Sequence, residues 1–263
     1  MTQSLALVAA EPELQAAAAE LARQYQLSLT HQGDDFDLEL TREGLQLRWL
    51  ARPEYQPLTL DYTRGRQAWR QQLGGGKQEA VVRALGVAHG FRPRVLDATA
   101  GLGRDGLMLA HAGCNVWLLE RHPAIHALLD QAVLHLQQHQ QLHDKLNWAA
   151  QVEVLPRGSL LEHSDIPSRW LELDIDAVYL DPMFPEREKS AAVKKDMQIL
   201  QHLVGPDLDA DGLLPMALAL AKHRVVVKRP VKAPFLAGQK PSSQVLSKKH
   251  RFDVYMKAPY PKA

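Results

Sequence analysis

The sequence has little of three features that mark secreted or membrane-bound chains. It contains one cysteine, Cys114, which excludes an internal disulfide and suits a reducing compartment. No apolar run approaches the roughly 20 residues that a membrane-spanning helix needs. The amino-terminal stretch MTQSLALVAAEPELQ has no basic leader ahead of its short apolar run, as a secretory signal would have. A cytoplasmic protein is therefore expected.

Net charge is also nearly absent, but the charges are unevenly distributed. The 263 residues carry a formal charge of +1. Between Lys222 and Lys257, however, there are ten Lys or Arg residues and one acid, Asp253. Such a segment fits a face that binds a polyanion, and the alternative is a basic tail that serves solubility.

The order of apolar patterns predicts two units. Residues 1–57 combine a short strand, an alanine-rich helix and two alternating strands, which predicts a small α+β unit with a β-α-β-β order. Residues 58–263 alternate short Val- and Leu-rich strands with helical stretches, which we expect from Arg104 to His111, from His122 to His139 and from Ser190 to Leu203. That alternation predicts an α/β fold with a doubly wound, Rossmann-like parallel sheet. The closing run HRFDVYMK predicts a late strand, which we expect to be antiparallel.

A glycine-rich turn follows the first strand of the second unit, in the segment VLDATAGLGRDG. Gly101, Gly103 and Gly106 have the G-x-G-x-x-G spacing that lets the backbone approach a ligand closely. Asp97 ends this strand, and Glu120 ends the next one, where a carboxylate can accept from both hydroxyls of a ribose. These features fit either a nicotinamide dinucleotide or S-adenosylmethionine.

Two further features favour S-adenosylmethionine. Asp105 lies in the first turn of the following helix, where it would repel a pyrophosphate but attract the sulfonium and ammonium groups of S-adenosylmethionine. The run YLDPMFPE, at the end of the fourth strand, resembles the [Asp/Asn]-Pro-Pro-[aromatic] signature of methyltransferases that modify exocyclic amines of bases. Met183 stands where that signature has its second proline.

The residues of this run suit the methylation of an exocyclic amine, whose lone pair is delocalised into the base. The Asp181 carboxylate and a backbone carbonyl can accept the N–H groups of the amine and favour its pyramidal form. Pro182 removes a competing donor and stiffens the turn. Phe184 offers a face on which the base can stack. We therefore predict that Asp181, Pro182 and Phe184 are the catalytic residues.

A set of longer motifs carries a resemblance to a known family. From residue 58 onward the chain resembles the bacterial ribosomal RNA small subunit methyltransferase J family in DYTRGR, GGGK, LDATAGLGRDG, LERHP, VYLDPMFPEREKSAAVKKDM, LVGPDLDADGLL, RVVVKRP and HRFDVY. The resemblance implies a class I S-adenosylmethionine-dependent sheet. It also implies methyl transfer to the N2 amine of a guanosine in 16S ribosomal RNA. The expected partner is that RNA or the small ribosomal subunit, with no membrane and no obligate protein partner.

The turn and the resemblance together give a set of cofactor residues, and the basic segment and the arginines of DYTRGR give a set of candidates for RNA contact. The cofactor would contact Asp97, Gly101, Gly103, Arg104, Asp105, Glu120, Arg121, Gly158, Ser159 and Asp181. The candidates for RNA contact are Arg64, Arg66, Lys228, Arg229, Lys232, Lys248, Lys249 and Arg251. No metal is expected, because His135, His139 and His143 in LHLQQHQQLH predict a solvated helix face.

Three other functions stay open on the sequence alone. The glycine spacing also fits an NAD-dependent oxidoreductase. A catalytically idle RNA-binding protein could keep the same fold, although the presence of Asp97, Glu120 and Asp181 argues against it. A methyltransferase could also use the same run to act on a protein amide or on a small-molecule amine.

Overall fold

Two β-sheets organise the chain. The structure is a computed structural model that describes residues 5–31, 35–63, 79–87, 90–140, 144–162, 166–184, 195–248 and 250–261. Its strands are β1 (Ala6–Ala9), β2 (Phe36–Thr41), β3 (Gly44–Trp49), β4 (Leu58–Thr59), β5 (Arg94–Asp97), β6 (Asn115–Leu118), β7 (Val152–Val154), β8 (Ala177–Leu180), β9 (Arg224–Pro230), β10 (Ser243–Leu246) and β11 (His250–Met256). Its α-helices are α1 (Gln15–Tyr25), α2 (Ala80–Ala84), α3 (Arg104–His111), α4 (Pro123–Gln140), α5 (Ser168–Glu172), α6 (Lys195–Val204) and α7 (Leu213–Leu220).

The larger sheet has the order β10-β11-β9-β8-β5-β6-β7. Strands β5 to β9 pair in parallel, so the predicted doubly wound sheet is confirmed. The chain runs outward from β5 in one direction through β6 and β7, and in the other through β8 and β9. The order therefore reverses between β5 and β8, and in such sheets ligands bind at the carboxyl ends of the strands beside that point.

The parallel strands are apolar because both of their faces are covered. One core packs α2, α3 and α4 on one face, through residues such as Val82, Leu109 and Leu136. The opposite core packs α5 and α7 on the other face, through residues such as Trp170 and Leu214. A sheet buried on both sides selects continuous Val and Leu runs rather than an alternating pattern.

Of the described strands in the larger sheet, β11 is the one that runs against the others. Strand β11 lies between β9 and β10 and is antiparallel to both. The expected late antiparallel strand is therefore confirmed. Because β11 enters the sheet in the opposite sense, its first residues lie at the same edge as the last residues of β9 and β10.

The smaller sheet, of order β1-β2-β3-β4, lies near the amino terminus. The predicted β-α-β-β order is confirmed, and β4 adds a short pairing with β3 just beyond the expected boundary at residue 57. Leu38 and Leu47 of this sheet share a core with Ile125 of α4 and Ile199 of α6. The small sheet thus packs directly on helices that belong to the larger unit.

Among the helices in the described part of the chain, none is both long and apolar enough to cross a membrane.

Candidate active site

The glycine-rich turn joins β5 to α3. Gly103 precedes α3 with a φ of +66°, in the left-handed region that suits glycine. Gly106 lies inside α3 against β6, where a Cβ atom would lie against Leu118 Cδ2 and 3.1 Å from Asp97 Oδ2. The helix can therefore approach the sheet, and the Asp97 carboxylate, only because this position has no side chain.

Glu120 closes this turn from the end of β6. Its side chain is buried, and its carboxylate accepts from the backbone N–H of Gly101 at 2.8 Å and from that of His122 at 2.7 Å. Burial raises the pKa of Glu120 above its usual range, although these two hydrogen bonds act in the opposite direction. Each carboxylate oxygen can accept more than one hydrogen bond, so this geometry still suits the predicted contact with a ribose.

Asp97 is almost completely enclosed, with 1 % of its surface exposed. Its Oδ1 accepts from the Thr99 backbone N–H at 3.3 Å. Burial raises the pKa of Asp97 well above its ordinary value, and the nearby Asp105 and Asp181 charges add to the rise. A buried acid that other acids surround favours a cationic neighbour.

Asp181, Lys228, Asp105 and Tyr179 form a carboxylate–lysine cluster. The Lys228 Nζ lies 2.8 Å from Asp181 Oδ2 and 2.8 Å from Asp105 Oδ2. The Tyr179 hydroxyl donates to the same Asp105 oxygen at 2.6 Å. The register of β8 against β9, in which Leu180 lies opposite Val227, brings Asp181 and Lys228 together just beyond the paired residues.

Within the carboxylate–lysine cluster, the two acids respond differently to their surroundings. Burial raises the pKa of Asp181, and the opposing Lys228 charge does not fully offset it. For Asp105, the Lys228 charge and the hydrogen bonds from Lys228 and Tyr179 outweigh burial and lower the pKa. The Asp181 side chain remains 38 % exposed, so its carboxylate is open to a ligand while Lys228 holds it.

The predicted catalytic run is fixed on both sides of Asp181. The Asp181 backbone N–H donates to Thr99 Oγ1 at 2.6 Å, which ties the run to the glycine-rich turn. Farther on, the Met183 N–H donates to Asp207 Oδ2 at 2.6 Å, and the Asp207 N–H donates to the Met183 carbonyl at 2.9 Å. The Phe184 ring has the Arg229 guanidinium 4.5 Å from its centre. Pro182 is buried between these anchors.

Sequence reasoning assigned no role to Asp207, which lies in the motif LVGPDLDADGLL. Arg121 pairs with Asp207 and donates to Asp209 at 2.8 Å. Asp207 therefore links Arg121, beside Glu120, to Met183 in the catalytic run. The sequence does show that this short motif is rich in acids. It does not show that one of those acids pairs with Arg121.

The remaining predicted cofactor residues lie around the same edge of the sheet. Arg104 donates to Asp196 at 3.0 Å, which connects α3 to α6. The Gly158 N–H donates to the Glu120 carbonyl at 3.1 Å, so the segment after β7 lies beside the end of β6. Ser159 is buried, and its hydroxyl accepts from the Leu161 N–H at 3.2 Å. The structure thus brings the predicted set together at the carboxyl ends of β5, β6, β7 and β8.

The charges at this edge provide a test of the expected cofactor. The edge holds the carboxylates of Asp97, Asp105, Glu120 and Asp181, and Lys228 pairs with two of these acids. A pyrophosphate would add negative charge to acids that already repel one another. The sulfonium and ammonium groups of S-adenosylmethionine would relieve that repulsion, so the residues present fit this cofactor.

Comparison with known proteins agrees with this geometry. Residues 20–257 match the family model described as "Putative SAM-dependent methyltransferase". The chain is 49% identical over 228 residues to the ribosomal RNA small subunit methyltransferase J of Colwellia psychrerythraea, covering 87% of this chain and 80% of that protein. It is 44% identical over 262 residues to the protein of that name from Pseudomonas aeruginosa, covering 98% of each.

The chain belongs to the ribosomal RNA small subunit methyltransferase J family. It is accordingly an S-adenosylmethionine-dependent methyltransferase, and the methyl interpretation of the glycine-rich turn is confirmed over the hydride one. A crystal structure of a SAM-dependent methyltransferase from Neisseria gonorrhoeae has the same fold, with a TM-score of 0.71, 31% identity and 97% of each chain covered.

In this methyltransferase the basic segment differs from the continuous cationic face that the sequence suggested. Arg229 and Arg251 are each 5 % exposed. Both guanidinium groups donate to the Pro234 carbonyl, and Arg251 also pairs with Asp253. This corrects the expectation for both arginines, because guanidinium groups bonded inside the protein do not reach a phosphate. Lys228 is likewise paired with Asp105 and Asp181 in the carboxylate–lysine cluster.

The other predicted RNA-binding residues divide into two groups. Lys232 and Lys248 are exposed and remain candidates for phosphate contact. Arg64, Arg66 and Lys249 lie outside the described residues.

The structure also locates the histidines and the cysteine that the sequence analysis set aside. The rings of His135 and His139 lie 4.9 Å apart on α4, and His143 lies outside the described residues. Among the residues that the structure describes, no three His, Cys, Asp or Glu side chains are grouped as a metal site requires. Cys114 is buried in the core ahead of β6, and burial raises the pKa of its thiol to about 12.

Proposed function

We propose that this methyltransferase transfers a methyl group from S-adenosylmethionine to the N2 amine of a guanosine in 16S ribosomal RNA. The observation that carries the proposal is the Asp181 carboxylate, which is partly exposed, held by Lys228 and followed by a stacking surface at Phe184. The relatives' name, ribosomal RNA small subunit methyltransferase, supports the choice of RNA.

The residues that hold the cofactor in this proposal surround the glycine-rich turn. Glu120 accepts from the ribose hydroxyls, while Asp97 and Asp105 supply the negative charge that the ammonium and sulfonium groups need. When bound, S-adenosylmethionine supplies a methyl carbon that its sulfonium activates. The residues that would form this cofactor site are Asp97, Gly101, Gly103, Arg104, Asp105, Glu120, Arg121, Gly158, Ser159 and Asp181.

The acceptor base is positioned by the catalytic run. Phe184 stacks on the base. The Arg229 guanidinium lies over the Phe184 ring, 4.5 Å from its centre, and stabilises the ring by a cation–π contact. Asp181 accepts one N–H of the amine and draws its lone pair out of conjugation. The Lys228 charge favours the ionised form of Asp181, and the ionised carboxylate can also receive the proton that the amine loses. Positioning and electrostatics then supply most of the acceleration.

Methyl incorporation tests this proposal. The purified protein is mixed with labelled S-adenosylmethionine and either naked 16S RNA or small subunits, both from a strain that lacks this methyltransferase. Mass spectrometry of the digested RNA should show one N2-methylguanosine. Label found in a protein amide, in a small-molecule amine or at another nucleoside would overturn the assignment.

A further inference from the structure

A second depression lies at the same sheet edge, beside the catalytic run. It has a volume of about 550 Å³ and lies between the loop that follows β9 and the end of β10. Its walls include Val231, Pro234, Phe235, Gln244, Leu246 and Arg251. We call it the Phe235 pocket.

The Phe235 pocket has an exposed apolar surface with a cationic border. Val231 is 46% exposed and Leu246 is 63% exposed, and the Phe235 ring is half-buried beside them. Lys232, which follows Val231, and Lys248, which lies two residues after Leu246, are also exposed. Apolar surface bordered by charge at the edge of an active site is typical of a binding surface.

The register of the strands fixes the distance between this pocket and the catalytic run. Leu246 on β10 pairs with Arg251 on β11, and Arg251 pairs with Arg229 on β9. Two strand spacings of about 4.8 Å therefore separate Leu246 from Arg229, whose guanidinium lies against the Phe184 ring. The pocket is thus about 10 Å from the residue that supports the stacking surface.

The two buried arginines hold the pocket in place. Arg229 and Arg251 both donate to the Pro234 carbonyl, and Arg251 also donates to the Val231 carbonyl at 2.7 Å. The Arg251 guanidinium lies 5.1 Å from the centre of the Phe235 ring. On the outer side of the loop, Asp211 accepts from the Ala237 N–H at 2.7 Å. The loop is therefore organised before any ligand arrives, which reduces the entropy cost of binding.

We propose that the Phe235 pocket binds the base of a nucleotide that flanks the target guanosine in the RNA strand. This inference rests on the proposed ribosomal RNA function. Phe235 and Leu246 contact the face of the flanking base, and Lys232 and Lys248 neutralise the adjoining phosphates. Holding a neighbouring base helps to keep the target guanosine out of its own stack and in front of Phe184.

The charge of this border favours RNA over a protein partner. The segment from Lys222 to Lys257 has ten basic residues and one acid, and that acid, Asp253, is fully buried and bonded to Arg251. An aromatic ring with a guanidinium behind it accepts any base, because every base has a π-face. The alternative, which the test below can detect, is that a protein segment binds in this pocket.

Two substitutions and a matched control test the inference. Phe235→Ala and Leu246→Ser should each raise the KM for RNA about tenfold, the scale of losing one stacked base. Because the cofactor site is separate, the Kd for S-adenosylmethionine should not change. Met256→Ser removes a side chain that is 43% exposed at the end of β11 far from Arg251, and it should leave the KM unaltered.

An abasic nucleotide placed in turn at each position beside the target then identifies the contact. At one position the abasic RNA should lose about tenfold in affinity for the wild-type protein and almost none for Leu246→Ser. Lys232→Ala and Lys248→Ala should each reduce the slope of log affinity against log salt by about 0.7 on single-stranded RNA.

Other outcomes overturn the inference. If wild-type protein methylates RNA but no abasic position interacts with Leu246→Ser, the pocket does not bind a base and the proposed function stands. If the variants are impaired on assembled subunits but bind naked RNA normally, a ribosomal protein occupies the pocket. If wild-type protein neither binds nor methylates RNA, the proposed function fails and the pocket assignment fails with it.

Discussion

The Asp181 carboxylate contacts both the cation that holds it and, in the proposed reaction, the amine that is methylated. Asp181→Ala should lower turnover by at least about two orders of magnitude, the usual scale for a positioned polar group in an active site. The fold should survive, because the side chain is partly exposed and Lys228 retains Asp105 as a partner. Initial rates with RNA and the midpoint of urea unfolding measure the two effects.

Glu172→Ala, which removes an exposed acid from α5, is the control for general loss of charge. Turnover within a few-fold of wild type in Asp181→Ala would remove Asp181 from the mechanism.

Lys228 should set the pH at which Asp181 becomes active. Burial raises the pKa of Asp181 and the Lys228 charge lowers it, so removing that charge raises the pKa further. Turnover needs the ionised carboxylate and falls as the pH drops through this pKa. In Lys228→Met the acid limb of the kcat profile should therefore move to higher pH.

Lys228→Arg keeps the charge and should leave the acid limb close to that of wild type. We expect a lower rate at every pH, because a guanidinium contacts Asp181 and Asp105 with a different geometry from an ammonium. An unshifted limb in Lys228→Met, with a lower rate at every pH, would show that Lys228 has only a structural role.

The sequence indicated which residues end strands but not how those ends meet. Asp97, Glu120 and Asp181 could be located because each follows an apolar run, and parallel strands end at one edge of a sheet. Lys228 was interpreted as a phosphate contact because it lies in a basic segment. Its pairing with Asp181 depends on the register of β8 against β9, which the pattern of a single strand does not contain.

At the scale of elements, α3 packs against β6 without space for one additional methyl group. Gly106→Ala would place a Cβ against Leu118 Cδ2 and near Asp97 Oδ2, so α3 must move away from the sheet. Overpacking of this kind costs about 1–3 kcal/mol, which exceeds the helix-propensity gain of about 1 kcal/mol. Urea unfolding should show the loss, and calorimetry should show weaker cofactor binding because Asp97 shifts.

Removing the crowded atom gives the matching control. Leu118→Ala alone should also lower the free energy of unfolding. In the double variant Gly106→Ala/Leu118→Ala, however, the loss should be smaller than the sum of the losses in the two single variants. Additive losses would mean that Gly106 is not limited by this contact.

Some helices could be predicted and others could not. The sequence interval expected for α3, from Arg104 to His111, coincides with the observed helix. Helix α7, with the sequence LLPMALAL, was not predicted, because apolar residues on every side leave no 3.6-residue period. Helix α5 is only five residues long and is equally difficult to recognise from a pattern.

At the scale of the whole molecule, the small sheet and the larger unit share one core. The fragment from Leu58 to Ala263 would expose the apolar faces of α4 and α6, including Ile125 and Ile199, and would leave β4 without β3. An exposed apolar surface of this kind promotes aggregation. We expect the fragment to be destabilised by several kcal/mol and recovered mainly as aggregate, as judged by gel filtration and urea unfolding.

Co-expression of residues 1–57 as a separate chain should restore part of the soluble yield. A fragment that unfolds cooperatively at the wild-type urea concentration would show instead that the two units are independent domains. The sequence predicted each unit but not this shared core, because the apolar residues of α4 and α6 do not reveal which partner covers them.

The position of β11 has a consequence for synthesis on the ribosome. This strand is made last among the strands of the larger sheet, yet it belongs between β9 and β10. Until residues 250–256 emerge, β9 presents an unpaired edge to its surroundings, and such edges invite misassembly. Arg251 also emerges with this strand, so the loop around Pro234, which Arg229 already contacts, gains its second arginine only at that stage. A nascent chain that stops before His250 would contain Asp97, Glu120 and Asp181, and also Phe235 and Leu246, but it would lack the strand that joins β10 to β9 and so forms the proposed pocket.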